Sequence, residues 1–202
     1  MLGFEPFNKT TIEEAIEYIE NGFMNKIFEE IKTGNQTHTP FMFLEAYNVV
    51  QKFYLVGDKK SEELFQSYNR IIEKYIIDCK NELNRDNKTN LVDKFLLYTK
   101  NIYYVIYWAG RVFCFLDRFY MKFKKKETLA RWGMNLYKTL FFEEFKNDVL
   151  VEINKLKNEE KDGSTEPNDK IQGVMQIFKD VEIKNPKLSR ENGEIKWIEM
   201  NQ

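Results

Sequence analysis

Apolar residues recur at helical spacing along most of the chain, and the first two helical patterns have clear ends. Thr11 and Glu14 match a capping box, after which apolar residues repeat every three or four positions until Gly34. A threonine–proline pair then provides a cap and a first-turn proline for a helix predicted over residues 41–56. The pattern therefore predicts two consecutive amphipathic helices.

Four further helices follow by the same criterion. Their predicted ranges are residues 61–83, 91–123, 129–157 and 169–180. In the fifth helix the predicted core stripe is Leu129, Trp132, Leu136 and Leu140. Residues beyond 185 are polar and no run alternates cleanly with period two, so no strand is predicted. Helices of this length joined by short loops usually pack antiparallel. The sequence predicts an all-α fold, an elongated antiparallel helical bundle.

A change in composition near residue 157 predicts the domain organisation. A charged segment containing Gly163 and Pro167 separates the fifth helix from the last one. We expect a first helical repeat over residues 1–157, followed by a linker and the start of a second repeat over residues 158–202.

The second predicted helix carries two adjacent apolar ridges. The ridges are Met42, Val49, Phe53 and Val56, and beside them Phe43, Ala46, Tyr47, Val50 and Tyr54. Together they cover an arc of about 180°, wider than the ~100° stripe that a helix needs to face one core. One part of the arc can be buried while the other binds a partner. Periodicity leaves a helix that is buried more deeply by its own bundle equally open.

The fourth predicted helix is rich in aromatic residues on nearly every side. These are Tyr103, Tyr104, Tyr107, Trp108, Phe113, Phe115, Phe119 and Tyr120. A bundle core explains most of them but not readily all, and aromatic residues with a polar tip are enriched at protein interfaces.

Composition and charge remove several classes of function. Lysine and arginine total 31 against 32 aspartate and glutamate residues, and this net charge of −1 argues against a nucleic-acid binder. A single histidine, His38, and two distant cysteines exclude the usual zinc sites. We expect His38 to be a solvated turn residue. The basic run at residues 122–126 is interpreted as a solvated helix end.

Candidate chemistry is also missing. No nucleophile, base and orienting group can be nominated together, and the nine glycines are scattered singly instead of forming a phosphate-binding loop. We therefore expect no enzymatic activity, no cofactor and no small-molecule substrate. The most apolar segment, residues 101–110, is far shorter than the ~20 residues of a membrane-spanning helix. The first nine residues lack a secretory signal. We expect a soluble protein, cytoplasmic and/or nuclear, that does not bind a membrane.

Two segments carry a family resemblance. Residues 43–50 and residues 115–121, the latter reading Phe-Leu-Asp-Arg-Phe-Tyr-Met, resemble the second and fifth helices of the first cullin repeat. Further matching segments, in the same order along the chain, are residues 98–100, 140–163 and 171–179. The resemblance covers roughly residues 11–184, and the Leu-Asp-Arg-aromatic-Tyr run is its most specific part.

The cullin resemblance implies a non-enzymatic scaffold of a cullin-RING ubiquitin ligase complex, acting in ubiquitin-dependent protein catabolism. Cullins hold a BTB/POZ-fold substrate adaptor at this N-terminal repeat and a RING protein at a distant C-terminal domain. Carried over by position, the adaptor-binding residues are Phe43, Leu44, Tyr47, Val50, Gln51, Asp117, Arg118, Tyr120 and Met121. We expect Phe43, Tyr47 and Tyr120 to be partly exposed and to form one patch.

The sequence departs from the family pattern in three ways. Gln51 stands where the family often has an aromatic residue, and the segment between Tyr98 and Leu116 is about one turn shorter than usual. The chain also stops within the second repeat, without a RING-binding domain or the family's modification motif, so we expect that it cannot assemble a ligase by itself. An excised fragment, a divergent short relative and a decoy that occupies adaptors are all compatible with the sequence.

Two functions of other classes stay open. One is a helical structural or interaction protein that forms a homodimer through its aromatic faces. The other is a small-molecule or lipid carrier, which would need a cavity within the bundle.

Overall fold

Helices make up most of the chain in its computed structural model, which describes residues 11–85, 90–160 and 169–200. Within those ranges there are seven helices and one β-hairpin. The helices are α1 (residues 12–33), α2 (Pro40–Tyr54), α3 (Asp58–Arg85), α4 (Leu91–Val112), α5 (Leu116–Met121), α6 (residues 129–160) and α7 (Asp169–Asp180). The strands are β1 (Pro186–Glu191) and β2 (Glu194–Glu199). The predicted all-α fold class is confirmed, and the hairpin is a local addition to it.

Three of the described helical stretches are wound more widely than an α-helix, with i→i+5 hydrogen bonds. Tyr18–Phe23 lies inside α1, Lys138–Phe142 lies inside α6, and Leu116–Met121 forms α5. Such π-helical turns are frequent at functional sites. One of them, α5, contains four of the predicted partner-binding residues.

The predicted helix signals are present at both ends of α1 and at the start of α2. The Thr11 hydroxyl accepts a hydrogen bond from the Glu14 amide at 3.2 Å, and the Glu14 carboxylate accepts one from the Thr11 amide at 3.4 Å. Helix α1 ends at Gly34, whose φ of 70° is in the left-handed region that favours glycine. The Thr39 hydroxyl accepts from the Met42 amide at 3.2 Å and begins α2.

The described residues cluster into two compact units. The first comprises the residues up to Ile71 together with Trp108–Leu129, and the second comprises Ile72–Tyr107 with the residues from Ala130 onward. Helices α3 and α4 contribute to both units. The predicted division into repeats 1–157 and 158–202 stays a prediction, since residues 161–168 lie outside the described part of the chain. Residues 1–10, where no secretory signal is predicted, also lie outside it.

The first unit has an apolar core in which the hydroxyl group of a buried tyrosine is hydrogen-bonded. Among its fully buried side chains are Ile19, Phe23, Ile27, Val50, Leu64, Tyr68, Phe113 and Leu116. The Tyr68 hydroxyl donates a hydrogen bond to the carbonyl oxygen of Leu129 at 2.8 Å. A buried hydroxyl without a partner would be costly, so this bond fixes the first residue of α6 against α3.

Aromatic residues of α6 dominate the core of the second unit. Phe95 stacks on Phe141 with ring centroids 5.8 Å apart, and the hydroxyl groups of Thr99 and Tyr137 form a hydrogen bond of 2.9 Å. The predicted stripe is wrong for three half-buried residues, Trp132, Leu136 and Leu140. The buried ridge is instead Met134, Tyr137, Phe141 and Phe145. Both ridges are apolar, so their spacing alone does not choose between them.

The hairpin is the element that the sequence pattern did not predict. Its turn is Asn192-Gly193, with φ values of 51° and 85°, which is the pair that a two-residue hairpin turn prefers. Trp197 of β2 pairs with Leu188 of β1 and is buried, edge-on to the ring of Tyr103 at 5.5 Å. The other strand positions are mostly polar, so alternation is weak and one anchoring tryptophan holds the hairpin in place.

Candidate protein-interaction surface

Helix α2 divides its wide apolar arc between a buried side and a half-buried side. The buried side takes members of both predicted ridges, namely Ala46, Val49, Val50 and Phe53. The other ridge members within α2, which are Met42, Phe43, Tyr47 and Tyr54, are half-buried. Outside the two ridges, Leu44 is 51 % exposed and Phe41 is exposed as well. Of the two arrangements that periodicity left open, the structure therefore has the one in which α2 keeps apolar side chains in contact with solvent.

A row of aromatic rings joins α2 to α5. The ring centroids of Tyr47 and Phe115 are 5.0 Å apart, and those of Tyr54 and Phe119 are 5.3 Å apart. Phe115 and Phe119 stack on each other at 6.3 Å. Aromatic pairs at these distances contribute beyond their buried area, so the row fixes the two helices side by side.

At the N-terminal end of this row, Phe43 contacts a buried tryptophan and an arginine. The ring of Phe43 lies 5.9 Å from that of the buried Trp108, and the next ring along α2 is Tyr47, at 6.1 Å. The guanidinium of Arg111 lies over the Phe43 ring, 5.4 Å from its centroid. This cation–π contact places an arginine at the edge of the exposed aromatic face.

We define the α2–α5 surface as eight exposed or half-buried side chains from α2, from α5 and from Phe115, the residue directly before α5. They all lie in the first compact unit and are Phe43, Leu44, Tyr47, Gln51, Tyr54, Phe115, Arg118 and Phe119. Five of them are among the residues that the cullin resemblance nominated. Their exposure leaves them available to a partner, while their binding role stays a prediction.

Three nominated residues lie in the core instead. Val50, Tyr120 and Met121 are buried, and Tyr120 is only 3 % exposed, so the expectation that Tyr120 is partly exposed is wrong. Its ring faces Phe65 at 6.1 Å and its hydroxyl donates a hydrogen bond to the carboxylate of Glu62. Burial and this carboxylate raise the pKa of the Tyr120 hydroxyl. Tyr120 therefore links α5 to α3, and its partner-binding role stays a prediction.

Asp117, also nominated, has a structural partner of its own. Its Oδ1 atom accepts a hydrogen bond from the backbone amide of Leu129, the first residue of α6, at 2.7 Å. Burial raises the pKa of the Asp117 carboxyl, and this hydrogen bond acts in the opposite direction. The half-buried side chain thus satisfies one of the free amides at the start of α6, as a capping residue does.

The sequence reasoning missed a cluster at the C-terminal ends of α2 and α5. Leu55, Val56, Phe119 and Phe123 are all exposed. The four-residue spacing of Phe115, Phe119 and Phe123 was a signal for one face of a helix, but the basic run around Phe123 was interpreted only as a solvated helix end. These residues extend the α2–α5 surface.

His38 is not the solvated turn residue that the sequence predicted. It is buried, and its Nδ1 atom is hydrogen-bonded to the buried carboxylate of Glu30. The rings of Phe23 and Trp108 lie against it, at 5.9 and 4.4 Å. A turn rich in threonine gave no sign of a buried acidic partner eight residues away.

The part of the chain that the structure describes contains neither a group of metal ligands nor a membrane-spanning helix. Within residues 11–85, 90–160 and 169–200, no three His, Cys, Asp or Glu side chains are grouped so that they could hold a metal ion. Cys79 is buried and Cys114 half-buried, both as free thiols, and burial raises the pKa of the Cys79 thiol to about 12. None of the described helices is long and apolar enough to cross a membrane.

Comparison with known proteins identifies the family. The chain matches the cullin alpha solenoid domain over residues 19–194. It is also 22 % identical over 122 residues to Cullin-1 of Oryza sativa subsp. japonica, a match that covers 60 % of this chain and 16 % of that protein. The chain thus spans a small part of the length of that relative, in a domain that serves cullins as a non-catalytic scaffold. Because the match to the alpha solenoid domain extends over most of its residues, the chain belongs to the cullin family.

Proposed function

We propose that this chain is the adaptor-binding part of a cullin scaffold and that it binds a BTB/POZ-fold substrate adaptor through the α2–α5 surface. Cullin N-terminal domains bind substrate adaptors, and the proposal assigns that activity to this chain and to one of its faces. In this role the protein positions an adaptor for a cullin-RING ubiquitin ligase complex and performs no chemistry of its own.

One observation carries the proposal: α2 and α5 present apolar and aromatic side chains next to each other at the surface. Leu44 is half exposed, Tyr47 and Phe115 are in ring contact at 5.0 Å, and the exposed Arg118 and the half-buried Gln51 provide polar groups beside them. Interfaces are enriched in aromatic residues and arginine, and their binding energy concentrates on a few such anchors.

A binding assay with a panel of purified BTB/POZ-fold proteins tests the proposal. We expect at least one of them to bind, and Leu44→Asp to weaken that binding by at least about tenfold, or ~1.4 kcal/mol. Leu97→Asp is a matched control, because Leu97 is 53 % exposed, like Leu44 at 51 %, but lies in the second compact unit. Both variants should keep the melting temperature of the wild type, since neither side chain belongs to the core.

A second variant separates a misplaced surface from a wrong partner. Tyr47→Ala removes a ring of the aromatic row and should also weaken adaptor binding, by about 2 kcal/mol if Tyr47 is a hot spot. Binding that survives both Tyr47→Ala and Leu44→Asp in the folded protein would place the adaptor elsewhere. If no BTB/POZ-fold protein binds, and light scattering shows a dimer that Leu44→Asp dissociates, the homodimer alternative is correct.

A further inference from the structure

A cleft of about 530 Å³ opens beside the C-terminal end of α5. Its lining comprises four aromatic and three charged side chains, namely Tyr54, Phe119, Tyr120, Phe123, Asp58, Arg118 and Lys122. Phe123 is 74 % exposed, so this aromatic ring of the lining is largely open to solvent. Because Tyr54, Arg118 and Phe119 also belong to the α2–α5 surface, the cleft continues that surface.

Some of the charged side chains at and near the cleft form ion pairs, and others do not. The Nζ atom of Lys124 lies 2.9 Å from Oδ2 of Asp58, which neutralises the acidic side chain in the lining. Lys126 lies 3.7 Å from a glutamate of α3 and over the ring of Phe65, at 4.3 Å from its centroid. Lys122 and Lys125 are exposed, and neither forms an ion pair with another described residue.

This combination favours one kind of occupant. The aromatic rings that line the cleft offer contact to a bulky apolar side chain. Lys122 in the lining and Lys125, three residues further along the chain, attract carboxylates, because neither is engaged in an ion pair with another described residue. A nucleic acid would be held by a longer track of phosphate contacts, whereas the net charge of this chain is −1 and the unpaired cations here are confined to one short segment. The observations therefore favour an acidic protein segment.

We propose that the adaptor bound at the α2–α5 surface extends an acidic segment into this cleft. An apolar side chain of the segment packs between Phe119 and Phe123, and flanking carboxylates pair with Lys122 and Lys125. The inference rests on the proposed function, because the segment belongs to the same adaptor. It adds the chemical character that the adaptor must have next to its main contact.

The first measurement uses the full chain and the BTB/POZ-fold protein that binds it. The double variant Lys122→Glu with Lys125→Glu should weaken binding by at least about threefold, since exposed ion pairs are individually weak. The control Lys184→Glu with Lys187→Glu makes the same charge change at two exposed lysines of the second unit and should have no effect. The double variant should also reduce the loss of binding between about 0.05 M and about 0.5 M salt.

The second measurement does not depend on the adaptor. A fluorescent peptide with one leucine between two pairs of glutamates should bind the wild-type chain, and Phe123→Ala should weaken it by at least about threefold. A peptide with glutamines in place of the glutamates should bind more weakly. Val151→Ala, which shortens an exposed apolar side chain of α6, is the control for Phe123→Ala.

The outcomes distinguish this inference from the proposed function. Adaptor binding that depends on Leu44 but is insensitive to the lysine pair and to salt overturns the inference and leaves the function standing. Peptide binding that depends on Phe123 and Lys122, without any BTB/POZ-fold partner, supports the acidic-segment cleft and overturns the choice of adaptor. Tighter binding of a single-stranded oligothymidylate or of phosphatidylserine vesicles than of the peptide, abolished by the lysine variant, overturns the inference.

Discussion

The loop that leads into α2 is held by one buried carboxylate. Oε1 of Glu30 accepts hydrogen bonds from the backbone amides of Thr37 and His38, at 2.8 and 2.7 Å. The same oxygen is hydrogen-bonded to Nδ1 of His38. The centroid of the His38 ring lies 4.4 Å from that of the Trp108 ring. Glu30→Ala therefore leaves three donors in a largely buried site without their acceptor, directly before the helix that carries five of the eight residues of the α2–α5 surface.

The cost of this substitution follows from those contacts. A buried amide that loses its acceptor costs about 1–3 kcal/mol. The Thr37 amide is only partly buried, so water can replace some of its lost hydrogen bond. We expect Glu30→Ala to lower the free energy of unfolding by about 2–4 kcal/mol. The double variant Glu30→Ala with His38→Ala should lose less free energy of unfolding than the sum of the two single variants, by about 0.5–3 kcal/mol. The reason is that both substitutions remove the same Glu30–His38 hydrogen bond.

Urea denaturation and amide hydrogen exchange measure these effects at two scales. Exchange at the Thr37 and His38 amides should become much faster in Glu30→Ala, while amides in the core of the second unit keep their protection. Glu29→Ala is the control, because Glu29 is exposed and its one ion pair among the described residues is with Lys26, at 2.7 Å. It should cost less than about 1 kcal/mol. Equal costs for the two variants, or unchanged exchange at both amides, would refute the assignment.

Three other substitutions have defined outcomes in chemical denaturation. Asp117→Ala should lower the free energy of unfolding by about 1 kcal/mol, since the Leu129 amide loses its acceptor, whereas Asp117→Asn keeps an acceptor oxygen and avoids burying a charge. The Tyr120 hydroxyl holds the pKa of the Glu62 carboxyl below its ordinary value, so that stabilisation is present above the ordinary pKa and lost as pH falls through the lowered one. The free energy of unfolding of Glu62→Gln should therefore fall less steeply than that of the wild type as the pH is lowered from about 6 to about 3. Gly110→Ala should stabilise α4 by about 0.5–1 kcal/mol, because nothing lies within 4 Å of the added Cβ.

Periodicity predicted the helices well because their ends carry local signals. The capping box at Thr11 and the left-handed Gly34 act within one turn of the chain, so a single sequence contains all that determines them. Which face of α6 is buried, in contrast, is not determined by local signals. Trp132 and Tyr137 both lie on apolar ridges, and only packing against α4, where Thr99 bonds the Tyr137 hydroxyl, decides which ridge is buried.

The candidate site shows the same division between local and tertiary information. The resemblance nominated a run of residues in α5 as one motif, but the fold uses its members for different purposes. Tyr120 bonds to α3 and Asp117 to the start of α6, while Arg118 and Phe119 face solvent. The most specific part of the family motif therefore holds α5 in position through its buried members. If the proposed function is correct, a change at a buried member would reduce adaptor binding by disturbing the helix, and only changes at the exposed members would test the interface itself.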